Sequence, residues 1–330
     1  MYNPFSFLVG MLLLTISYTK LYLTMTGNEL KMKGLLTHWN IGNVQLLEHR
    51  KNIKKFIFEG STFFLKERKG TSSWERTEEY RITQYLIRNG INVETPLLNI
   101  SGEPYVKGDG NFYSLYASLE GNPLQVCKEA CCGQFIRIGE YLSRFHLALG
   151  KCPFEQSTRV WDVFNYSKSW LSEAAPELSM WAAEVYGEIS TYELIYKQLP
   201  LQLVHSDVHV RNFLWRKDGS IGLVDFERIR LAPRIGDLAY IITSLLRNSN
   251  SPMDFHHIHS QMKELIRGYT YNQGLSDEEY VLLPHLVILF LLQYTLYYSQ
   301  LGFVKASIFH KNSVEYLISD KEYLEALTVQ

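Results

Sequence analysis

The 330-residue chain has no charge excess of either sign: 33 Lys and Arg stand against 34 Asp and Glu, a formal net charge of −1. The long-range attraction that nucleic acid or an anionic membrane needs is therefore absent, and neither is expected as a main partner. Proline is scarce, at 10, and no internal repeat or low-complexity linker breaks the chain. Cysteine is nearly as rare, with four residues: Cys127, Cys131, Cys132 and Cys152. They form no repeated C-x-x-C pattern, and adjacent Cys131 and Cys132 are a poor start for a tetrahedral zinc site. Buried thiols in a reducing cytoplasm are the expectation.

Convincing membrane segments are missing too. Phe5–Leu14 is apolar but short, has no basic residue before it, and is cut off by Lys20. It fails as a signal peptide and as a span. An over-extended translation start is an alternative, since Met25 and Met32 both follow it. Leu286–Val304 is long enough, but Gln293, Ser299 and Gln300 interrupt it. A helix buried in a large lobe is expected there rather than a bilayer span. What is present is an ordinary globular composition, 46% hydrophobic, with many aromatics: 22 Tyr and 17 Phe. The length suits one large domain or two modest ones.

The chain changes character near residues 110–125. Before that point β-like runs dominate: Val44–Glu48, Ile53–Glu59 and Ser61–Arg68, with Glu59-Gly60-Ser61 as a hairpin turn. A helix is predicted next, opened by the capping box Ser72-x-x-Glu75 and closed by Asn89-Gly90. Thr95–Asn99 and Tyr113–Leu119 read as two more strands. Helices are then expected at Cys131–Leu149, Trp161–Ala175 and Met180–Gln198. Short β-like pieces, Leu203–Val204 with Phe213–Trp215, and Ile221–Val224, interrupt the helical part, and helices resume to the end. The fold class is α+β: a small antiparallel-sheet lobe and a large helical lobe. The expected organisation is an N-terminal extension at 1–38, a nucleotide-binding lobe at 39–117 and a helical lobe at 118–330.

The sharpest chemical signal is LVHSDVHVRNFLW at 203–215, followed by GLVDFE at 222–227. Asp207 and Asn212 are five apart, and Asp225 follows an apolar run. This is the spacing of the kinase catalytic loop and its metal-binding Asp. A hydroxyl attacking a phosphate needs a proton acceptor that also orients it, which Asp207 supplies. Triphosphate charge must be neutralised by a hard cation such as Mg²⁺, which takes oxygen ligands from Asn212 and Asp225. His205 is expected to brace the loop. Lys66, among apolar strand residues, needs a negative partner. Phosphates and a helix glutamate, Glu78 or Glu79, would serve. A solvated edge-strand lysine is the plainer alternative. The histidines of MDFHHIHS, His256, His257 and His259, read as surface or packing residues. Trp161, Trp170 and Trp181 read mainly as core packing, with stacking on a substrate as the second option.

These motifs resemble the aminoglycoside phosphotransferase and choline kinase superfamily, of protein-kinase-like fold, over roughly residues 40–305. The overall pattern is most similar to CotS-type bacterial spore coat proteins. Matching features are Leu65-Lys66 at a strand end, Glu79 to Leu86 in the next helix, the connector YSLYASLEGNPL at 113–124, Leu142 to His146, G-D-L-A at 236–239 and GYTYNQGLS at 268–276. The resemblance implies an ATP- or GTP- and Mg²⁺-dependent phosphotransferase with a small-molecule hydroxyl acceptor. It implies Asp207 as base with His205, nucleotide contacts from Lys66, Glu79, Tyr116 and Ser118, and metal contacts from Asn212, Asp225 and Glu227. Glu227 could instead cap a turn. The alternative is a kinase-fold spore coat component, with coat proteins as partners and a structural or assembly role. Only 11 residues separate Asp225 from Asp237, too few for a peptide-docking activation segment. One departure stands out: the turn expected over the phosphates, Glu48-His49-Arg50-Lys51-Asn52, has no glycine to let backbone N–H groups approach them.

Overall fold

The computed structural model describes residues 27–50, 52–123, 133–153, 159–247 and 255–320, with 323 and 327. Phe5–Leu14, Met25, Lys51, Cys127, Cys131 and Cys132 lie outside the described residues. The chain divides into two compact units, Met1–Thr77 with Pro96–Ser118, and Glu78–Thr95 with Leu119–Gln330.

In the first unit, helix α1 (Gly27–Leu36) precedes strands β1 (Gln45–Arg50), β2 (Ile53–Phe58) and β3 (Ser61–Arg68). Helix α2 (Ser73–Arg88) begins here and ends in the second unit. Strands β4 (Val106–Gly108) and β5 (Asn111–Ala117) complete an antiparallel sheet of order β1-β2-β3-β5-β4. Glu59 and Gly60 turn the chain from β2 into β3, with φ of 47° and 78°. Positive φ at both positions matches the natural twist of a hairpin. Phe56, Leu65 and Leu115 bury one face of the sheet against Met32, Leu35, Leu36 and Trp39. Each such side chain contributes about 1.5–3 kcal/mol by leaving water. Residues from the stretch 1–38, expected as an extension, therefore supply this core.

Three local expectations need correction. Thr95–Asn99 is not a strand: Pro96 makes one isolated bridge to Tyr116, because proline offers no N–H to continue a ladder. Strand β4 was not anticipated. Glu48, His49 and Arg50 continue β1, with Arg50 opposite Ile53, so three residues of the turn expected at 48–52 are strand. The capping box of α2 forms as its sequence dictates. Ser72 N–H donates to Glu75 Oε2 at 2.7 Å, and Glu75 N–H donates to Ser72 Oγ at 3.2 Å.

The second unit contains β6 (Asn122–Pro123), α3 (Gln134–Gly150), α4 (Val163–Ser172), α5 (Pro176–Ser190) and α6 (Glu193–Gln198). Four short strands follow: β7 (Gln202–Val204), β8 (Phe213–Trp215), β9 (Ile221–Leu223) and β10 (Arg230–Ala232). Then come α7 (Ile235–Arg247), α8 (Phe255–Thr270), α9 (Asp277–Gln300) and α10 (Val304–Ser319). The segment read as one helix over 180–198 starts earlier, at Pro176, and breaks at Thr191–Tyr192. Strand β7 pairs with β10, while β8 pairs with β6 and β9. β10 was not legible as a strand, since its three residues alternate too briefly to show a period.

Helices α3 and α8 pack closely because each offers a glycine. A Cβ on Gly139 would sit 2.1 Å from the Leu265 carbonyl oxygen, and one on Gly268 would sit 1.9 Å from that of Ile136. This gives GYTYNQGLS a structural meaning. Helix α9 is long and apolar enough to cross a membrane, but 72% of its apolar window is buried inside the protein. Its N-terminus is closed by a capping box of Ser276 and Glu279. Cys152 is buried. His259 is buried with its Nε2 3.4 Å from Asp320 Oδ2, a carboxylate neighbour that the sequence did not reveal. The side chains of His256 and His257 lie outside the described residues.

Candidate active site

The loop after β7 is fixed from several sides within the second unit. The buried Asp237 carboxylate, at the start of α7, accepts the His205 N–H on Oδ2 and the Ser206 N–H on Oδ1, both at 2.8 Å. His146 of α3 also lies against Asp237, Nε2 to Oδ2 3.2 Å, while its Nδ1 meets the Tyr269 hydroxyl at 2.7 Å. Ser206 has a left-handed backbone, φ 58°, which costs free energy in a non-glycine residue. Its bonds to Asp237 and from its hydroxyl to the Arg228 carbonyl offset that cost. His205 donates from Nε2 to the Val224 carbonyl at 3.1 Å and packs edge-on to Phe226.

Asn212 is buried, and its amide N–H donates to the Asp207 carbonyl at 3.0 Å. Its backbone carbonyl accepts the Val224 N–H at 3.1 Å. Asp225, next in the chain, is held in the left-handed region at φ 72°, ψ 62°. Its backbone N–H donates to Glu94 Oε2 at 3.1 Å. Glu94 is itself positioned by a parallel bridge between Val93 and Leu223. The structure thus brings Asp207, Asn212 and Asp225 onto adjoining, hydrogen-bonded segments. Because the Asn212 nitrogen is committed to Asp207, its side-chain oxygen is the end left for a cation. That oxygen and the Asp225 carboxylate are hard donors of the type Mg²⁺ takes. Among the described residues no group of three or more His, Cys, Asp or Glu side chains could hold a metal, so further oxygens would come from phosphate and water.

Asp207 accepts a hydrogen bond on Oδ1 from the Tyr240 hydroxyl at 3.1 Å. Tyr240 also contacts the Tyr294 hydroxyl. With one proton given to Asp207, Tyr240 must accept from Tyr294. Burial first, and then Tyr294 and Asp207, push the Tyr240 phenol well above its usual range, so it stays a donor. Burial lowers the pKa of His209 despite nearby Asp207. Glu227 and Arg228 follow in a short 3-10 turn. Burial opposes the charge of Arg228, but Asp207 and Glu227 hold its pKa above the usual value.

Asp207 opens onto a cavity of about 530 Å³ whose walls include Trp161, Trp170, Tyr240, Arg247 and Tyr294. Trp161 stacks on Phe290 with centroids 5.6 Å apart, so it is both core residue and cavity wall. Trp181 is not among the cavity's residues; the Lys311 ammonium lies 5.1 Å from its ring centroid. In the first unit, Lys66 is 5% exposed on the central strand β3. It is not a solvated edge lysine. Its ammonium lies 4.5 Å from the ring centroid of buried Tyr116. Ser118 is exposed, with its backbone N–H donated to the Thr62 carbonyl at 2.9 Å. Glu79 is buried on α2 in the second unit. The roles of Asp237, Glu94 and Tyr240 escaped sequence reading. Asp237 was visible in G-D-L-A, but nothing in the chain order tied it to the loop.

The profile of the phosphotransferase enzyme family matches residues 54–269. A homoserine kinase of Beijerinckia indica subsp. indica is 28% identical over 215 residues. That match covers 60% of this chain and 64% of the relative, so the chain spans just under two-thirds of that protein. Among solved structures, an amicoumacin kinase in complex with AMP-PNP, Ca²⁺ and Ami superposes with a TM-score of 0.72 at 19% identity, covering 88% of this chain and 94% of that one. A microcompartment-associated aminopropanol kinase gives 0.69 at 15% identity, covering 91% and 98%. At such identities the likeness shows the fold, an antiparallel-sheet region followed by a helix-rich region. These relatives are enzymes; the likeness to spore coat proteins rests on sequence pattern alone.

Proposed function

The chain belongs to the phosphotransferase enzyme family, and on that premise we propose that it transfers the γ-phosphoryl group of ATP or GTP to a hydroxyl of a small molecule. Asp207 takes the hydroxyl proton on Oδ2, the oxygen not engaged by Tyr240. The acceptor oxygen bonds to phosphorus as the bond to the β-phosphate oxygen breaks, releasing the nucleoside diphosphate. Asn212 and Asp225 hold Mg²⁺, which supplies neutralisation of phosphate charge. Glu227 is assigned to the same cation. Lys66 and Glu79 are assigned to nucleotide binding, and Tyr116 and Ser118 belong to the nucleotide-binding connector. His205 braces the loop through Val224.

The observation that supports this reading best is the bond from the Asn212 side-chain amide to the Asp207 backbone carbonyl, with the Asn212 backbone carbonyl tied to the residue before Asp225. Loop-capping residues alone would not require the backbone segments that carry these three side chains to be hydrogen-bonded to one another. The test is thermal denaturation of the full chain with and without ATP and Mg²⁺. At 100 times Kd, ligand should stabilise the fold by about 2.7 kcal/mol. Asp225→Asn should abolish that gain. A flat response in the parent protein would reject the phosphotransferase reading.

A further inference from the structure

The cavity beside Asp207 is unusual in its charge. Three arginines line it, Arg228, Arg230 and Arg247, and among the described lining residues Asp207 is the sole carboxylate. Arg247 decides the matter. Its guanidinium lies 3.5 Å from the Tyr294 ring centroid and donates to the Tyr298 hydroxyl at 3.0 Å. Its Nε–H is buried with no acceptor. Among the described residues no carboxylate pairs with it. Guanidinium cannot shed its charge, so a partly desolvated arginine held by neutral groups lacks a counter-ion. Its place at the C-terminal end of α7 favours a cation. That alone leaves its buried Nε–H without an acceptor.

The distance to the reacting group is short in bonding terms. Arg247 stacks on Tyr294, Tyr294 meets Tyr240, and Tyr240 donates to Asp207. Asp207 and Arg247 line the same cavity, so one bound molecule can touch both. We infer that the phosphoryl acceptor is an anion: a hydroxyl compound bearing a carboxylate or phosphate that sits against Arg247, its carbon frame against Trp161 and Trp170. This inference rests on the phosphotransferase reading above. A polycationic aminoglycoside would meet the like charge of Arg247 in the same space.

Release of nucleoside diphosphate tests this with three compound sets: hydroxy acids and sugar phosphates, neutral sugars and polyols, and amino alcohols with aminoglycosides. Nucleotide-dependent thermal stabilisation is measured in parallel. Turnover confined to, or at least about tenfold more efficient with, members of the first set is expected, and its two halves tell carboxylate from phosphate. Arg247→Gln should raise KM for the accepted anion at least about tenfold, the scale of a charged hydrogen bond. Its kcat and nucleotide stabilisation should stay near those of the parent. Arg247→Lys should recover part of the loss, which a merely structural helix-end role would not make dependent on substrate charge. Nucleotide binding without turnover of any anion, equal turnover of neutral or cationic compounds, or an unchanged KM in Arg247→Gln would each overturn the inference. Failure to bind nucleotide would instead overturn the phosphotransferase reading beneath it.

Discussion

The Tyr240 hydroxyl donates to Oδ1 of Asp207 across 3.1 Å, which leaves Oδ2 as the oxygen able to receive a proton. Asp207→Asn keeps the shape and the Tyr240 contact but removes the carboxylate proposed as base. Turnover should fall by about 10²–10⁴-fold, the usual worth of a positioned general base. Nucleotide stabilisation should persist. Steady-state kinetics with thermal denaturation checks both; retained turnover would remove Asp207 from its role.

Tyr240→Phe should lower kcat by roughly tenfold, equivalent to one hydrogen bond to a charged group. Ring packing against Phe290 is kept, with centroids now 5.3 Å apart, so Tm should move little. A kcat unchanged from the parent would show that Asp207 is oriented without Tyr240.

Gly139→Ala and Gly268→Ala each place a methyl group on backbone rather than on a yielding side chain. Helices α3 and α8 must separate, at a cost of about 3 kcal/mol or more. Chemical denaturation should show that loss, and either variant within about 0.5 kcal/mol of the parent would contradict the close approach.

His310 donates from Nδ1 to the Ala306 carbonyl at 2.6 Å, and burial lowers its pKa from 6.5 to about 4. The unfolded chain then binds a proton more readily than the fold does between these values. Its contribution is full above pH 6.5 and is lost as pH falls toward 4. The shift corresponds to about 3 kcal/mol at most. Denaturation curves from pH 7 to 4 should lose stability more steeply in the parent than in His310→Gln; equal slopes would refute this.

Much of the fold was readable because its signals are local. The β2–β3 turn at Glu59-Gly60, the Ser72–Glu75 box and the spacing from Asp207 to Asn212 each depend on a few neighbouring residues. Thr95–Asn99 misled because its apolar residues outweighed Pro96. Strand β10 exists only through its partner β7, and no stretch of three residues carries that information. The same holds for the site. Asp207, Asn212 and Asp225 stood out by spacing, but Asp237, Glu94 and Tyr240 act through contacts between segments distant in sequence. Arg247 reads as an ordinary basic helix end until Tyr294 and Tyr298 are placed around it.

Trp161 and Trp170 form part of the cavity wall beside Asp207. The protein therefore carries its own optical reporter. A molecule entering that space changes the polarity around two indoles, and their emission should register occupancy without any label or coupled reaction, even in a variant that cannot turn over.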